Sequence, residues 1–304
     1  MHKWLCAVLV VILLSSRAAY GMGSTNYTVD FDSLNSGGDD VSSSTNFQIR
    51  DTVGEQATGF SSGTNYGIQA GYRQADEISN LTFDIGTQEN STETAFSAFS
   101  NGAETVTVAS VASFSVGDFI GVVENRGLSQ IVALGRIVLI AGNDLTVDQW
   151  DGNPGGISAV PAGGDDFVYR LEGSAAQLGT LTVTTGATSF THTDVTTNAS
   201  QGYSVYVTSD GRLRVSTSTF ITDVSDGAVT IGSEEYGARV FGNFATTSST
   251  SADFALTTST FAIQSATTTA MNERVGLVYK AAINNGTPAG SYSQLVFYTV
   301  TANF

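Results

Sequence analysis

Few residues of this 304-residue chain are of types that do chemistry, and their spacing sorts them into three groups. His192 sits in Phe190-Thr-His-Thr-Asp194, where the two-residue period of a strand puts it on one face with Asp194. An acid–base pair activating one of many serines can be imagined there, but no nucleophile elbow or other activating frame accompanies it. A strand-surface histidine is the favoured reading. Asp148, Asp151 and Asn153, beside Gly152 and Gly155, offer oxygen ligands to calcium. The regular alternation of acids and the bidentate Glu of a calcium loop are missing, so solvated turn acids are favoured, here and at Gly163-Gly-Asp-Asp166. Tyr27, Phe47 and Tyr66 recur at matching places in near-copies of one motif and could stack on sugar rings; the favoured reading makes them the core of their own repeat.

Other chemistries lack their residues. The apolar run Leu5 to Leu14 follows Lys3 and precedes Ala18-Ala19-Tyr20-Gly21, the pattern of a signal peptide over 1–21. Cleavage there would remove the only cysteine, leaving one histidine and no thiol, too little for a zinc site. No spacing singles out a pair among the 28 acids for glycoside hydrolysis, and no glycine-rich phosphate loop leads into a helix. Lys280 would be the single remaining lysine; an internal amide crosslink to an asparagine such as Asn303 is conceivable, and a solvated lysine is favoured. The cofactor expectation is therefore none, calcium being the one ion that the residue types suit.

Composition sets the frame in which these residues must be held. The processed chain would carry ten Lys and Arg against 28 Asp and Glu, a formal charge of −18, which disfavours nucleic acid as a partner. With 33 Gly, 3 Pro, abundant Thr and Ser and no sustained helical period, the chain predicts an all-β protein. No stretch reads as a transmembrane helix, since Ile131 to Ile140 is broken by Gly135 and Arg136.

Three segments follow the leader. Over 22–75, Ser24-Thr-Asn-Tyr-Thr-Val29, Ser44-Thr-Asn-Phe-Gln-Ile49 and Gly63-Thr-Asn-Tyr-Gly-Ile68 form an internal repeat, their asparagines 20 and 19 residues apart. Each copy reads as a turn entering a short strand. Over 78–172, short strands from Leu81-Thr-Phe-Asp-Ile85 to Leu145-Thr-Val147 alternate with turns such as Glu124-Asn-Arg-Gly127 and Gly142-Asn-Asp144, which argues for a small β-barrel or sandwich. Over 173–304, about eight strand-like runs fit an antiparallel Ig-like β-sandwich. Ser209-Asp-Gly-Arg212 signals a hairpin there. Val296, Tyr298, Val300, Ala302 and Phe304 alternate with polar residues and predict a closing strand inside a sheet, all five facing the core.

Two resemblances bear on location. Ser-x-Asn-Tyr with Asp51-Thr-Val-Gly-Glu55 and Ala70-Gly-Tyr72 is similar to segments of exported bacterial surface proteins. Leu178-Gly-Thr-Leu181, Asn198-Ala-Ser-Gln-Gly-Tyr-Ser-Val205 and Pro288-Ala-Gly-Ser-Tyr292 follow one another in an order that resembles the WxL-type cell-surface domains of Gram-positive bacteria. The family's aromatic and aliphatic positions match Tyr203 and Val205, then Tyr292, Val296, Tyr298 and Val300, with tyrosine for tryptophan and valine for leucine. The resemblance implies a sandwich and a surface location. Together these observations lead us to expect a secreted or surface-displayed, non-enzymatic structural or adhesive protein of the bacterial cell envelope, partnered by an envelope or extracellular polymer or by other copies of itself. The alternatives are an outer-membrane β-barrel, suggested by the terminal phenylalanine, and then a polysaccharide-active enzyme.

Overall fold

The computed structural model describes residues 79–246 and 252–304, together with the backbone of six short strands between residues 23 and 70. Those six pair as antiparallel hairpins: Gly23–Ser24 (β1) with Tyr27–Thr28 (β2), Ser42–Ser43 (β3) with Gln48–Ile49 (β4), and Gly59–Gly63 (β5) with Tyr66–Ala70 (β6). The leader over 1–21 and Phe47 lie outside the described residues, and the side chains of Tyr27 and Tyr66 do too. Residues 1–78 and 79–304 are separate compact units.

Within 79–304 the protein is all-β and antiparallel, with no α-helix among the described residues and hence no helix able to cross a membrane. The first strand, Leu81–Thr87 (β7), corrects the segment boundary drawn from sequence. It pairs along its whole length with β15 (Ala187–Thr197) and so belongs to a sheet of the C-terminal body. A short apolar run announces a strand but carries no mark of its partner.

The next strands close a ring. Thr94–Ser100 (β8), Thr105–Val108 (β9), Phe119–Glu124 (β10), Ile131–Ala141 (β11), Asp144–Val147 (β12) and Phe167–Arg170 (β14) pair in the order β10-β14-β8-β9-β12-β11, and β11 returns to β10; Asp151–Gly152 (β13) adds to β11. β11 serves both neighbours because its register shifts between Ile137 and Leu139, which bends it. The Gly142 turn into β12 forms as expected, at a φ of 64° that suits glycine. Phe96, Phe99, Val106, Ile120, Leu145 and Trp150 fill the interior.

The C-terminal body has two larger sheets and a two-stranded ribbon. β19 (Glu235–Phe241), β21 (Ala270–Ala282), β15 and β7 form one; β20 (Phe261–Ala266), β16 (Tyr203–Ser209) and β22 (Val296–Ala302) form the other. Between them lie Val195, Tyr203, Val205, Val207, Val240 and Leu277. Arg214–Ser216 (β17) pairs with Thr219–Phe220 (β18), and Arg214 also bridges Ser293, but β17 does not pair with β16, so Ser209–Arg212 makes a turn but no hairpin with β16. Asp210 instead donates its backbone N–H to Leu295 and accepts the Leu295 N–H on its carboxylate. That bond holds the entry of the last strand.

β22 departs from the expected closing strand. It pairs with β16 alone and forms the sheet's edge among the described residues. Val296, Tyr298 and Val300 do pack on the core, but the strand ends at Ala302 and Phe304 is 56% exposed. Alternation fixes which side chains share a face; it does not say how far the covering sheet extends.

Candidate functional site

β15 is covered on both sides. Thr191, Thr193 and Val195 look into the sandwich, where the Thr193 hydroxyl donates to Gln264 Oε1 at 2.7 Å. Phe190 looks out onto the barrel and packs in one cluster with Val123, Val132, Leu134, Tyr169 and Leu171. His192 and Asp194 share that outer face, as their spacing predicts, but the barrel buries them. The expected strand-surface histidine is 1% exposed.

The centre of this joint is Arg274, on β21 directly opposite Asp194 and 1% exposed. Its Nε donates to Asp194 Oδ2 at 2.5 Å, and Nη1 and Nη2 grip Asp148 Oδ1 and Oδ2 at 2.8 and 2.5 Å. Asp151 Oδ2 stands 3.6 Å from Nη1 and accepts a hydrogen bond from Gln149 Nε2 at 2.8 Å. The same Gln149 Nε2 donates to the Asn272 carbonyl on β21, tying the barrel rim to the sheet. The guanidinium carbon lies 5.3 Å from the Phe119 ring centroid, and the His192 ring packs against it, tilted by 33° with centroids 4.3 Å apart. Room for this contact depends on glycine at position 86, opposite His192, since a Cβ there would collide with the Leu171 carbonyl and press on the imidazole.

Charge state follows from burial and neighbours. Burial pushes Asp148 up, but the Arg274 guanidinium and the Arg136 and Gln149 N–H groups outweigh it and hold the carboxyl below its usual range. Burial dominates at Asp151 and, with repulsion from Asp148 and Asp194, overcomes Gln149 and Arg274 to raise it to about 6. Asp194 is raised for the same leading reason, with Asp148 and Asp84 adding to it. Burial and the Arg274 charge lower His192 to about 3, against a smaller pull from the Gly86 carbonyl. The imidazole is neutral at physiological pH, and neither ring nitrogen makes a hydrogen bond of ordinary geometry. The imidazole is 1% exposed, and the cluster beside it ties barrel to sandwich through Arg274 and Asp148.

Two acids marked for calcium thus meet, together with Asp194, on a guanidinium. Asn153, the third, is exposed just after β13 and makes no contact with Arg274 that would bring it into the cluster. Asp151 and Asp166 are each 3% exposed, which corrects the solvated-turn reading for both. Asp166 accepts the Asn125 and Gly163 N–H groups and so ties two loops. Among the described residues no group of three or more His, Cys, Asp or Glu is placed to hold a metal ion. Lys280, read as solvated, is 4% exposed, with Nζ 2.9 Å from Asp253 Oδ1. Asn303, its imagined crosslink partner, exchanges backbone bonds with Gln201 and Gly202 instead. No family model, curated protein or solved structure matches the chain. Its role has to be read from its own residues.

Sequence reasoning missed Arg274. The available signal was an arginine set in the strand Arg274-Val-Gly-Leu-Val-Tyr279 of a chain with only 12 Lys and Arg, because a cation among apolar strand residues needs buried anions.

The raised Asp151 yields a signed expectation. Its folded-state value of about 6 lies above the ordinary 3.8, so its charge is tolerated less well in the fold than in the unfolded chain. The penalty is absent below about pH 4, where both states hold the proton, grows as pH rises toward 6 and is constant above. Asp151→Asn keeps an oxygen for Gln149 and is expected to stabilise by on the order of 2 kcal/mol at pH 8. The gain should vanish at pH 4, and urea unfolding at the two pH values checks this.

Proposed function

We propose that the chain is a secreted or surface-displayed, non-enzymatic structural or adhesive protein of the bacterial cell envelope, and that β22 pairs edge to edge with β22 of a second copy. The observation that carries this reading is the chemistry of that edge. From Leu295 to Phe304 there is no charged residue and no proline, and Leu295, Phe297 and Phe304 are exposed, in a chain of net charge −16. Edge strands are ordinarily protected by lysine, proline or a bulge, and this one lacks all three. It is also where two acidic copies can approach without setting like charges opposite each other. A C2 arrangement would join the strands antiparallel, each supplying the same surface.

Supporting the wider reading are the leader pattern, the 22–75 repeats as small docking units, and an Ig-like sandwich over the C-terminal strands with the surface location that the WxL resemblance implies. The burial of His192 weighs against the serine–histidine reading, since the imidazole is out of a substrate's reach. The apolar filling of the ring is the reverse of the lipid-facing pattern of a membrane barrel.

Sedimentation of the purified chain tests the pairing. The wild type should associate with rising concentration, and Phe297→Lys with Thr299→Lys, both on the outer face, should make it monomeric with an unchanged melting temperature. A wild type that stays monomeric at every concentration, or a double variant that associates as before, would sink the proposal.

A further inference from the structure

A cavity of about 580 Å³ opens between barrel and sandwich. Its barrel wall is residues 128–132 with Gly152 and Asn153, and its sandwich wall is Arg239 to Asn243 on and after β19, with Val278 and Lys280 of β21. Among the described residues two cations line it and no acid does, although the chain holds 28 acids and 12 bases. Arg239 Nε and Lys280 Nζ lie 2.7 and 2.9 Å from the same oxygen, Asp253 Oδ1, while Asp253 Oδ2 accepts the Val229 N–H. Two positive charges therefore share one negative charge, and one is left over at the wall. Lys280 is 4% exposed, and burial, with the nearby Arg239 charge, pulls its amine below its ordinary value despite Asp253. An anion in the cavity would relieve that strain.

The rest of the lining suits a hydroxylated ligand. The amides of Asn153 and Asn243 are exposed at the rim, and both donate and accept hydrogen bonds, as sugar hydroxyls do. Gln130 Oε1 is taken by the Thr188 hydroxyl, while its Nε2 is buried with no acceptor among the described residues. The Phe241 ring adds an apolar wall. One surplus charge matches a carboxylate better than a doubly charged phosphate. We propose that this cavity binds a uronic-acid residue of an acidic polysaccharide, its carboxylate against Arg239 and Lys280 and its hydroxyls on the rim amides. The inference goes beyond the envelope role and does not depend on the pairing of β22, since that is read by sedimentation and this by ligand binding.

Titration calorimetry of the full chain with digalacturonate, neutral galactobiose and inorganic phosphate tests it. Digalacturonate should bind at least tenfold more tightly than either of the others. Arg239→Gln should weaken it at least tenfold without lowering the melting temperature, because Lys280 still pairs Asp253 and the Arg239 side chain is 36% exposed. Lys280→Gln, which leaves a buried acid half-paired, risks unfolding and is replaced by Asn243→Ala, expected to weaken binding several-fold. Equal affinity for galactobiose, equal affinity for phosphate, or full binding by Arg239→Gln would each overturn the assignment.

Discussion

Replacing Arg274 by leucine is expected to destabilise the 79–304 unit by about 3–5 kcal/mol at pH 7.5, the range for removing one partner of a buried charge group. Leucine fills part of the volume but leaves Asp148, Asp151 and Asp194 facing one another in the joint. Asp194 and Asp148 lose charge-assisted bonds at 2.5 to 2.8 Å, and the barrel loses its ionic tie to β21. Against a typical domain stability of about 5–15 kcal/mol this is a large fraction. The sign of the pH dependence identifies the cause. Unpaired buried carboxyls take up protons more readily in the fold than in the unfolded chain, so their penalty declines as pH falls, and the variant should regain much of its deficit at pH 4.5. Urea unfolding at the two pH values decides it. An equal deficit at both would mean that lost packing, rather than stranded charge, is responsible. Asp151→Asn in the Arg274→Leu background should recover part of the stability at pH 7.5, because it removes one of the stranded charges.

Deleting Tyr298 to Phe304 should unfold the C-terminal sandwich or leave it open to protease. Tyr298 reaches across the core to the hydroxyls of Tyr279 and Thr191, both at 2.7 Å, and its loss leaves both buried groups short of a partner. Val300 goes as well, and β16 loses its hydrogen-bonded neighbour from Tyr203 to Val207, which exposes a strand whose Tyr203, Val205 and Val207 are at most 1% exposed. A fully buried apolar side chain contributes about 1.5–3 kcal/mol, and several are uncovered together. The sum rivals the stability of the whole unit. Thr299→Ser with Thr301→Ser should be nearly silent, because both side chains are on the exposed face. Thermal melting and limited proteolysis measure both. Should the truncated chain melt like the intact one while losing self-association, β22 would be an element given to a neighbour rather than the closing edge of its own sheet.

Much of this could be read in one dimension. The two-residue alternation of Tyr203-Ser-Val-Tyr-Val207 and of Val296 to Ala302 marks strands with one buried face, and both are strands. Scarce proline and glycine-centred turns such as Gly142-Asn-Asp144 exclude a helical protein, and that turn joins β11 to β12. The period also put His192 and Asp194 on one face, correctly. What it could not say is what covers that face. Arg274 is 80 residues from Asp194 and 126 from Asp148, and nothing local to any of them announces the others. The same limit moved β7 into the C-terminal sheet, set β22 at an edge, and turned Lys280 from a solvated residue into a buried one that shares Asp253 with Arg239. Side-chain direction is decided by the backbone's own geometry and is written locally. Burial, and with it the charge state of Asp148, Asp151, Asp194 and His192, is decided by the second body that docks on the strand, and only the tertiary structure brings that body into place.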